Sequence, residues 1–275
     1  MPTFTYQGIT VHYTETGLGR VGPLVVLIHS GSNSAAQWDG VAAQLGERHR
    51  VLAPDLYNCG GTSPWPGPGP LTFDAETQLV RALIARAGGS AHLVGHSFGG
   101  GVALRIAALA REALLSLTLI EPPGYPLLRD AGHEEAYADY AGVRDAFLAA
   151  VGRGDHAAAW QGFIDHYHGR GDAWAGLSER VRAKLVARSP TQIGVYQAQD
   201  SNPTTLADIA RLGEETLLLQ GEHAAIAERS FCALITATAP ACRSIIIAGA
   251  GHMSPISHAQ EVAEAIDAHI SARQL

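Results

Sequence analysis

The stretch Ala91-His92-Leu93-Val94-Gly95-His96-Ser97-Phe98-Gly99-Gly100-Gly101 decides the fold. Ala91 to Gly95 reads as a short buried strand, and from about Gly99 to Ala110 the chain is helical and so rich in Ala and Gly that it must pack closely against a sheet. Between the two lies Gly-x-Ser-x-Gly. A strand that turns this sharply into a helix admits only small residues at Gly95 and Gly99 and holds the Ser97 hydroxyl above the end of the sheet. The N-terminus of the following helix points at that hydroxyl and favours negative charge developing there. Ser97 is therefore the candidate nucleophile. Without the strand before and the helix after, the same residues would read as a glycine-rich helix start with a serine N-cap.

The alternation extends outward on both sides. Upstream, Leu24 to Ile28 is a continuous apolar run, the mark of a strand buried on both faces, followed by helical character from Ala35 to Leu45 and a strand from Arg50 to Pro54. Thr3 to Gln7 and Ile9 to Thr14 read as a hairpin about Gly8. After a Pro/Gly-rich loop from Ser63 to Pro70, Asp74 to Ala87 places Leu79, Val80, Leu83 and Ile84 on one helical face, with Thr72 or Asp74 as N-cap. Downstream, Leu114 to Ile120 is another buried strand. From about Pro122 to Leu212 the pattern breaks into Ala-rich helical stretches, Tyr137 to Val151, His156 to Tyr167 and Leu177 to Ala187, with no strong strand. It resumes with a strand at Thr216 to Gln220, a helix near Glu228 to Thr238, a strand at Ser244 to Ala248 and a closing helix from His258 to Ala272. This order predicts an α/β fold: a mostly parallel central sheet flanked by helices, its core at 1–121 and 213–275, with an inserted helical cap at 122–212.

Composition narrows the function classes. The 275 residues are 47% hydrophobic, enough for a sizeable core, and 19 Lys plus Arg against 26 Asp plus Glu leave a net charge of −7 without long runs of one sign. Such a surface predicts no nucleic-acid and no membrane partner, and fits a monomer or homodimer acting on a small-molecule substrate. No leader-like segment opens the chain and no apolar run reaches the roughly 18 residues of a membrane span, so a cytoplasmic location is expected. Cys59, Cys232 and Cys242 form neither an even set nor a CxxC pattern, and predict reduced thiols with no zinc site. His166 and His168, two apart on a predicted helix, diverge, so the expectation is solvated side chains and no metal.

Around Ser97 the sequence resembles an α/β-hydrolase-fold enzyme over nearly the whole chain outside the cap. Leu27-Ile28-His29-Ser30-Gly31 through Trp38 resembles that family's His-Gly-x oxyanion loop, with Ser30 where Gly is usual. Asp55 through Thr62 resembles its Asp-x-x-Gly-x-Gly-x-Ser loop, with Asn58 in place of a Gly and able to take the left-handed backbone conformation. The resemblance implies an oxyanion hole from the backbone N–H groups of Gly31 and Phe98, and a bracing role for His29. Gly249-Ala250-Gly251-His252-Met253 resembles the catalytic-histidine loop and makes His252 the base. The usual acid position, after the strand Thr216 to Gln220, holds Ala224. A subset of the fold carries the acid after the preceding strand, where Leu119-Ile120-Glu121 offers Glu121. Glu121 is the preferred acid, with Glu222, or no acid, as alternatives.

These residues imply a serine hydrolase needing no cofactor, acting on a small to medium apolar carboxylic ester through an acyl-enzyme. A carbon–carbon bond hydrolase or a lactonase would use the same triad, and a non-catalytic ligand-binding receptor would keep the fold alone. Trp160, Phe163, Tyr167, Trp174 and Tyr196 either line a cleft against the core or form the cap's own core. Cys59, close to the site but with no evident base, is read as packing.

Overall fold

In the computed structural model, which describes residues 2–20, 23–168 and 171–273, the alternation read from the sequence is realised. β1 (Thr3–Tyr6) and β2 (Ile9–Thr16) form the hairpin, and β3 (Leu24–Ile28), α1 (Asp39–Leu45), β4 (Arg50–Pro54), α2 (Phe73–Ala87), β5 (Ala91–His96), α3 (Phe98–Leu109) and β6 (Leu114–Ile120) follow. Among the described residues the next stretch carries helices and no strand: α4 (Tyr125–Asp130), α5 (Glu134–Gly152), α6 (His156–Tyr167), α7 (Glu179–Ala187), α8 (Ser189–Asp200) and α9 (Leu206–Ile209). β7 (Thr216–Gly221), α10 (Ile226–Thr238), β8 (Arg243–Ile247), α11 (Ser254–Ser257) and α12 (Ala259–Ser271) complete the order.

The strands form one sheet in the order β1-β2-β4-β3-β5-β6-β7-β8, antiparallel at β1-β2 and β2-β4 and parallel from β4 to β8. The two-residue period of a strand sorts the continuous apolar run of β3 onto two faces. Leu24, Val26 and Ile28 join a core with Leu79, Val80 and Leu83 of α2 and Val102 and Ile106 of α3. Val25 and Leu27 join a second core with Val41 and Leu45 of α1 and Val262, Ile266 and Ile270 of α12. Fully burying each such side chain contributes about 1.5–3 kcal/mol, and two covered faces are what allow a strand with no polar positions. Thr72 caps α2, its side chain accepting from Ala75 N–H.

Several elements differ from expectation, among them the short α4, α9 and α11, which the sequence reading does not contain. The helix expected from Ala35 to Leu45 begins as a 3₁₀ turn over Ala35–Trp38 before α1 starts at Asp39. α8 is absent from the sequence reading because its buried side includes Ser189, Gln192 and Gln199, so no apolar stripe announces it. No helix among the described residues is long and apolar enough to cross a membrane.

Candidate active site

The parallel strands bring the loops after β3, β5, β6 and β8 to one edge of the sheet, the edge where open α/β sheets bind ligands. At the end of β5 the turn is closed by sterics. A Cβ on Gly95 would collide with the Gly99 carbonyl, and one on Gly99 with the carbonyl oxygens of Ile28 and His29. Ser97 is left at φ 49° and ψ −123°, a conformation costly for a non-glycine residue. It is pinned there by Ser97 N–H to Ile120 O (2.9 Å) and Gly101 N–H to Ser97 O (3.1 Å).

Glu121, immediately after β6, also has a left-handed backbone, φ 43°. Its carboxylate is buried and held on both oxygens: Oε1 accepts from Gly221 N–H at the end of β7 (2.7 Å), and Oε2 lies 2.5 Å from His252 Nδ1. The second contact fixes the imidazole with Nε2 free to work in the cavity. Burial alone would depress the His252 pKa, but the hydrogen bond and charge of Glu121, with the charge of Glu228 behind it, raise it above the ordinary histidine value. Glu222 is exposed and accepts from Gly249 N–H (2.8 Å), bracing the loop that leads to His252 without reaching the ring. Ala224 is buried and carries no acid.

On the other side of Ser97, the space at Gly31 is bounded by Phe98 and Val195, where any side chain would strike Val195. Among the described residues neither Gly31 N–H nor Phe98 N–H donates a hydrogen bond, the second being one of the orphan donors at the start of α3. Both residues line the same cavity as Ser97. His29 holds their loop: its Nδ1 donates to Ser30 O (2.7 Å) and its Nε2 accepts from Leu56 N–H (3.0 Å). Burial lowers its pKa to about 4, so the ring stays neutral and keeps both bonds. Asn58 occupies φ 61°, the turn conformation expected of it.

These groups open into a cavity of about 270 Å³ between the sheet edge and the helices over it. Ser97, Gly31, Phe98 and His252 lie in its floor, and Trp160, Phe163, Tyr167 and Tyr196 in its walls. Trp174 is not in the lining; it is buried beneath the Arg182 guanidinium. His166 is only half-exposed and sits 3.4 Å from Asp139, which differs from the solvated side chain expected of it. Cys59 is buried, and burial followed by the nearby Glu76 charge pushes its thiol up to about 12, far from a reactive thiolate. Among the described residues no cluster of His, Cys, Asp or Glu is arranged to hold a metal ion.

Residues 25–265 match the model of the alpha/beta hydrolase family. The chain belongs to that family. This α/β hydrolase is 26% identical over 258 residues to the pimeloyl-[acyl-carrier protein] methyl ester esterase of Aeromonas hydrophila, covering 90% of this chain and 94% of that one. It is also 39% identical over 106 residues to lipase LipV of Mycobacterium tuberculosis, a match that spans 38% of this chain and 39% of that protein's length. Among solved structures, a hydrolase from Pseudomonas aeruginosa PA01 superimposes with a TM-score of 0.77 at 24% identity, over 98% and 97% of the two chains, and so shares the fold.

Three polar residues at the site of this hydrolase were not singled out by sequence reasoning. Gln37 accepts at Oε1 from Ser30 N–H (3.0 Å) and Ser30 Oγ (2.6 Å), and its Nε2 donates to His96 Nδ1 (3.0 Å). His96 Nε2 in turn donates to His252 O (2.8 Å). Ser30, the departure from the family's usual glycine, thus anchors a buried chain of hydrogen bonds that joins the Gly31 loop to the His252 loop. Glu228, on the first turn of α10, is buried with Oε1 accepting from Tyr125 OH (2.8 Å), and burial raises its pKa. In the sequence Gln37 and Glu228 have no motif, and His96 looks like the variable residue of the pentapeptide.

Proposed function

We propose that this hydrolase cleaves carboxylic esters through an acyl-enzyme on Ser97, with His252 as base and Glu121 as the acid that orients it. The observation that carries the reading is the 2.5 Å contact between Glu121 Oε2 and His252 Nδ1, which aims the other ring nitrogen into the cavity that Ser97 lines. Ser97 Oγ attacks the acyl carbon as His252 Nε2 takes its proton, and the carbonyl oxygen becomes an oxyanion between the Gly31 and Phe98 amides. Collapse of the tetrahedral species expels the alkoxide, which takes the proton from His252. Water then attacks the acyl-enzyme, losing its proton to His252, and the carboxylic acid leaves as that proton returns to Ser97. Glu121 stays ionised, holding the tautomer and balancing the imidazolium. Ser97 Oγ makes no hydrogen bond among the described residues, a looseness common before substrate binds.

The aromatic walls favour a small to medium ester with an apolar part. Two relatives named as an ester esterase and a lipase point the same way. No cofactor enters any step. The test is labelling of Ser97 by a fluorophosphonate probe together with turnover of p-nitrophenyl esters of graded acyl length beside a lactone, an amide and a vinylogous diketone. Labelling lost in S97A, with an ester as best substrate, is the expected result. A diketone turned over faster than every ester would replace ester hydrolysis by carbon–carbon cleavage.

A further inference from the structure

One wall of the cavity is polar. Arg188, at the junction of α7 and α8, lines it, and the next positions on the same face of α8 that reach the cavity include Gln192 and Tyr196, one and two turns on. No Asp or Glu is among the described residues that line this space. The Arg188 guanidinium has five N–H donors, yet among the described residues its one hydrogen bond is Nη1 to Ser32 O (2.8 Å) and it has no carboxylate partner. Ser32 follows the Gly31 amide directly, so the positive charge stands within one residue of the proposed oxyanion hole. Around it, buried polar atoms are left without partners: Ser32 Oγ and Gln192 Oε1, with Tyr196 OH further along the helix. Gln192 faces the Tyr196 hydroxyl without closing a hydrogen bond to it. Buried polar groups are ordinarily paired; an unpaired hydroxyl donor, Ser32 Oγ, beside a guanidinium with no carboxylate partner suits an anion, whereas the unpaired Gln192 Oε1 accepts only and Gln192 would meet an anion solely through its NH₂.

We propose that the substrate carries its own carboxylate, a few carbons from the scissile carbonyl, and that Arg188 binds it. The planar guanidinium suits a carboxylate, which it can meet with two parallel N–H donors; the Ser32 hydroxyl adds a third, and Gln192 offers its amide one turn away. The substrate class is thus the monoester of a short dicarboxylic acid, its chain passing over Ser97 and its acid end at Arg188. This inference rests on the ester-hydrolase reading and adds to it the charge of the substrate.

The experiment compares methyl hydrogen glutarate with methyl 4-carbamoylbutanoate, the neutral amide of the same shape, by pH-stat, alongside fluorophosphonate labelling of Ser97. Wild type is expected to favour the charged ester at least tenfold in kcat/KM. R188M should cut that ratio at least tenfold, chiefly through the KM of the charged ester, and R188K should restore part of it. A ratio near one in wild type, or one unmoved in R188M, overturns the inference while leaving the ester-hydrolase reading intact. If both esters are inert and Ser97 does not label, the underlying reading fails instead. If Ser97 labels but neither ester turns over, protection decides: glutarate slowing the labelling of wild type but not of R188M, and of R188K in part, supports the anion site, and no slowing of wild type, or equal slowing of R188M, overturns it. The wild-type ratio and protection hold whether or not R188M folds.

Discussion

Glu121 has both carboxylate oxygens committed, one to the Gly221 amide and one to His252, so its replacement by the isosteric amide keeps the shape and removes the charge. E121Q is expected to lower kcat by about 10³–10⁴-fold with an unchanged circular-dichroism spectrum, since the wrong imidazole tautomer becomes favoured. E222Q should keep turnover within a few-fold, because Glu222 touches only the Gly249 amide. The sign of the pH effect follows from the same charges. Carboxylates beside His252 favour its protonated form and raise its pKa, and the base works only when neutral, so the acid limb of kcat/KM should lie above the ordinary histidine value of about 6.5. E228Q, which removes the more remote of the two carboxylates, should move that limb to lower pH with a smaller loss of kcat than E121Q. A limb that stays in place in E228Q would show that this charge is not felt by the ring.

At the scale of elements, the proposed mechanism depends on how the Gly31 loop is held beside the start of α3. Q37L, which cuts the link between Ser30 and His96, should lower kcat more than it raises KM by loosening the placement of the Gly31 amide. The complete loss of one oxyanion donor, about 3 kcal/mol, bounds the effect. Single-turnover acylation rates measure it directly. The strand–turn–helix unit around Ser97 was legible in the sequence because sterics allow only glycine at its two ends, and the strands because burial on two faces leaves a continuous apolar run. His252 after the last strand and Glu121 after β6 were singled out through the resemblance of their loops to the family's, with Glu222 left as an alternative acid. α8 was not legible, since a helix that turns Arg188, Gln192 and Tyr196 toward a cavity has no apolar periodicity to read. Gln37 and His96 were invisible for a related reason: they matter through a hydrogen-bond chain between segments 59 residues apart, which local pattern does not encode.

The whole molecule carries an acid-sensitive interior. His29 and His92 are lowered to about 4, and His96 and His269 are lowered too, each chiefly by burial. Between the folded and unfolded pKa values the unfolded chain binds more protons, so this stability is fully present above about pH 6.5 and is lost as pH falls toward 4. His29 alone accounts for about 3 kcal/mol; the raised His252 acts only above pH 6.5, and what offsets a part of the loss below it is Glu76 and Glu228, whose carboxyls burial raises so that the folded chain takes up their protons first. Urea midpoints should therefore fall from pH 6.5 to pH 4, more steeply in E76Q, which removes one of the opposing carboxyls, and a midpoint flat over that range in both proteins would contradict the assignment. The central claim concerns a covalent state of the entire chain, and mass spectrometry of enzyme quenched during turnover of a p-nitrophenyl ester tests it most directly. The account predicts one acyl group per chain, mapped to Ser97, accumulating in wild type and absent from S97A. Unmodified enzyme during rapid steady-state turnover of an ester for which a p-nitrophenol burst shows deacylation to be slow, or an acyl group on another residue, would contradict it.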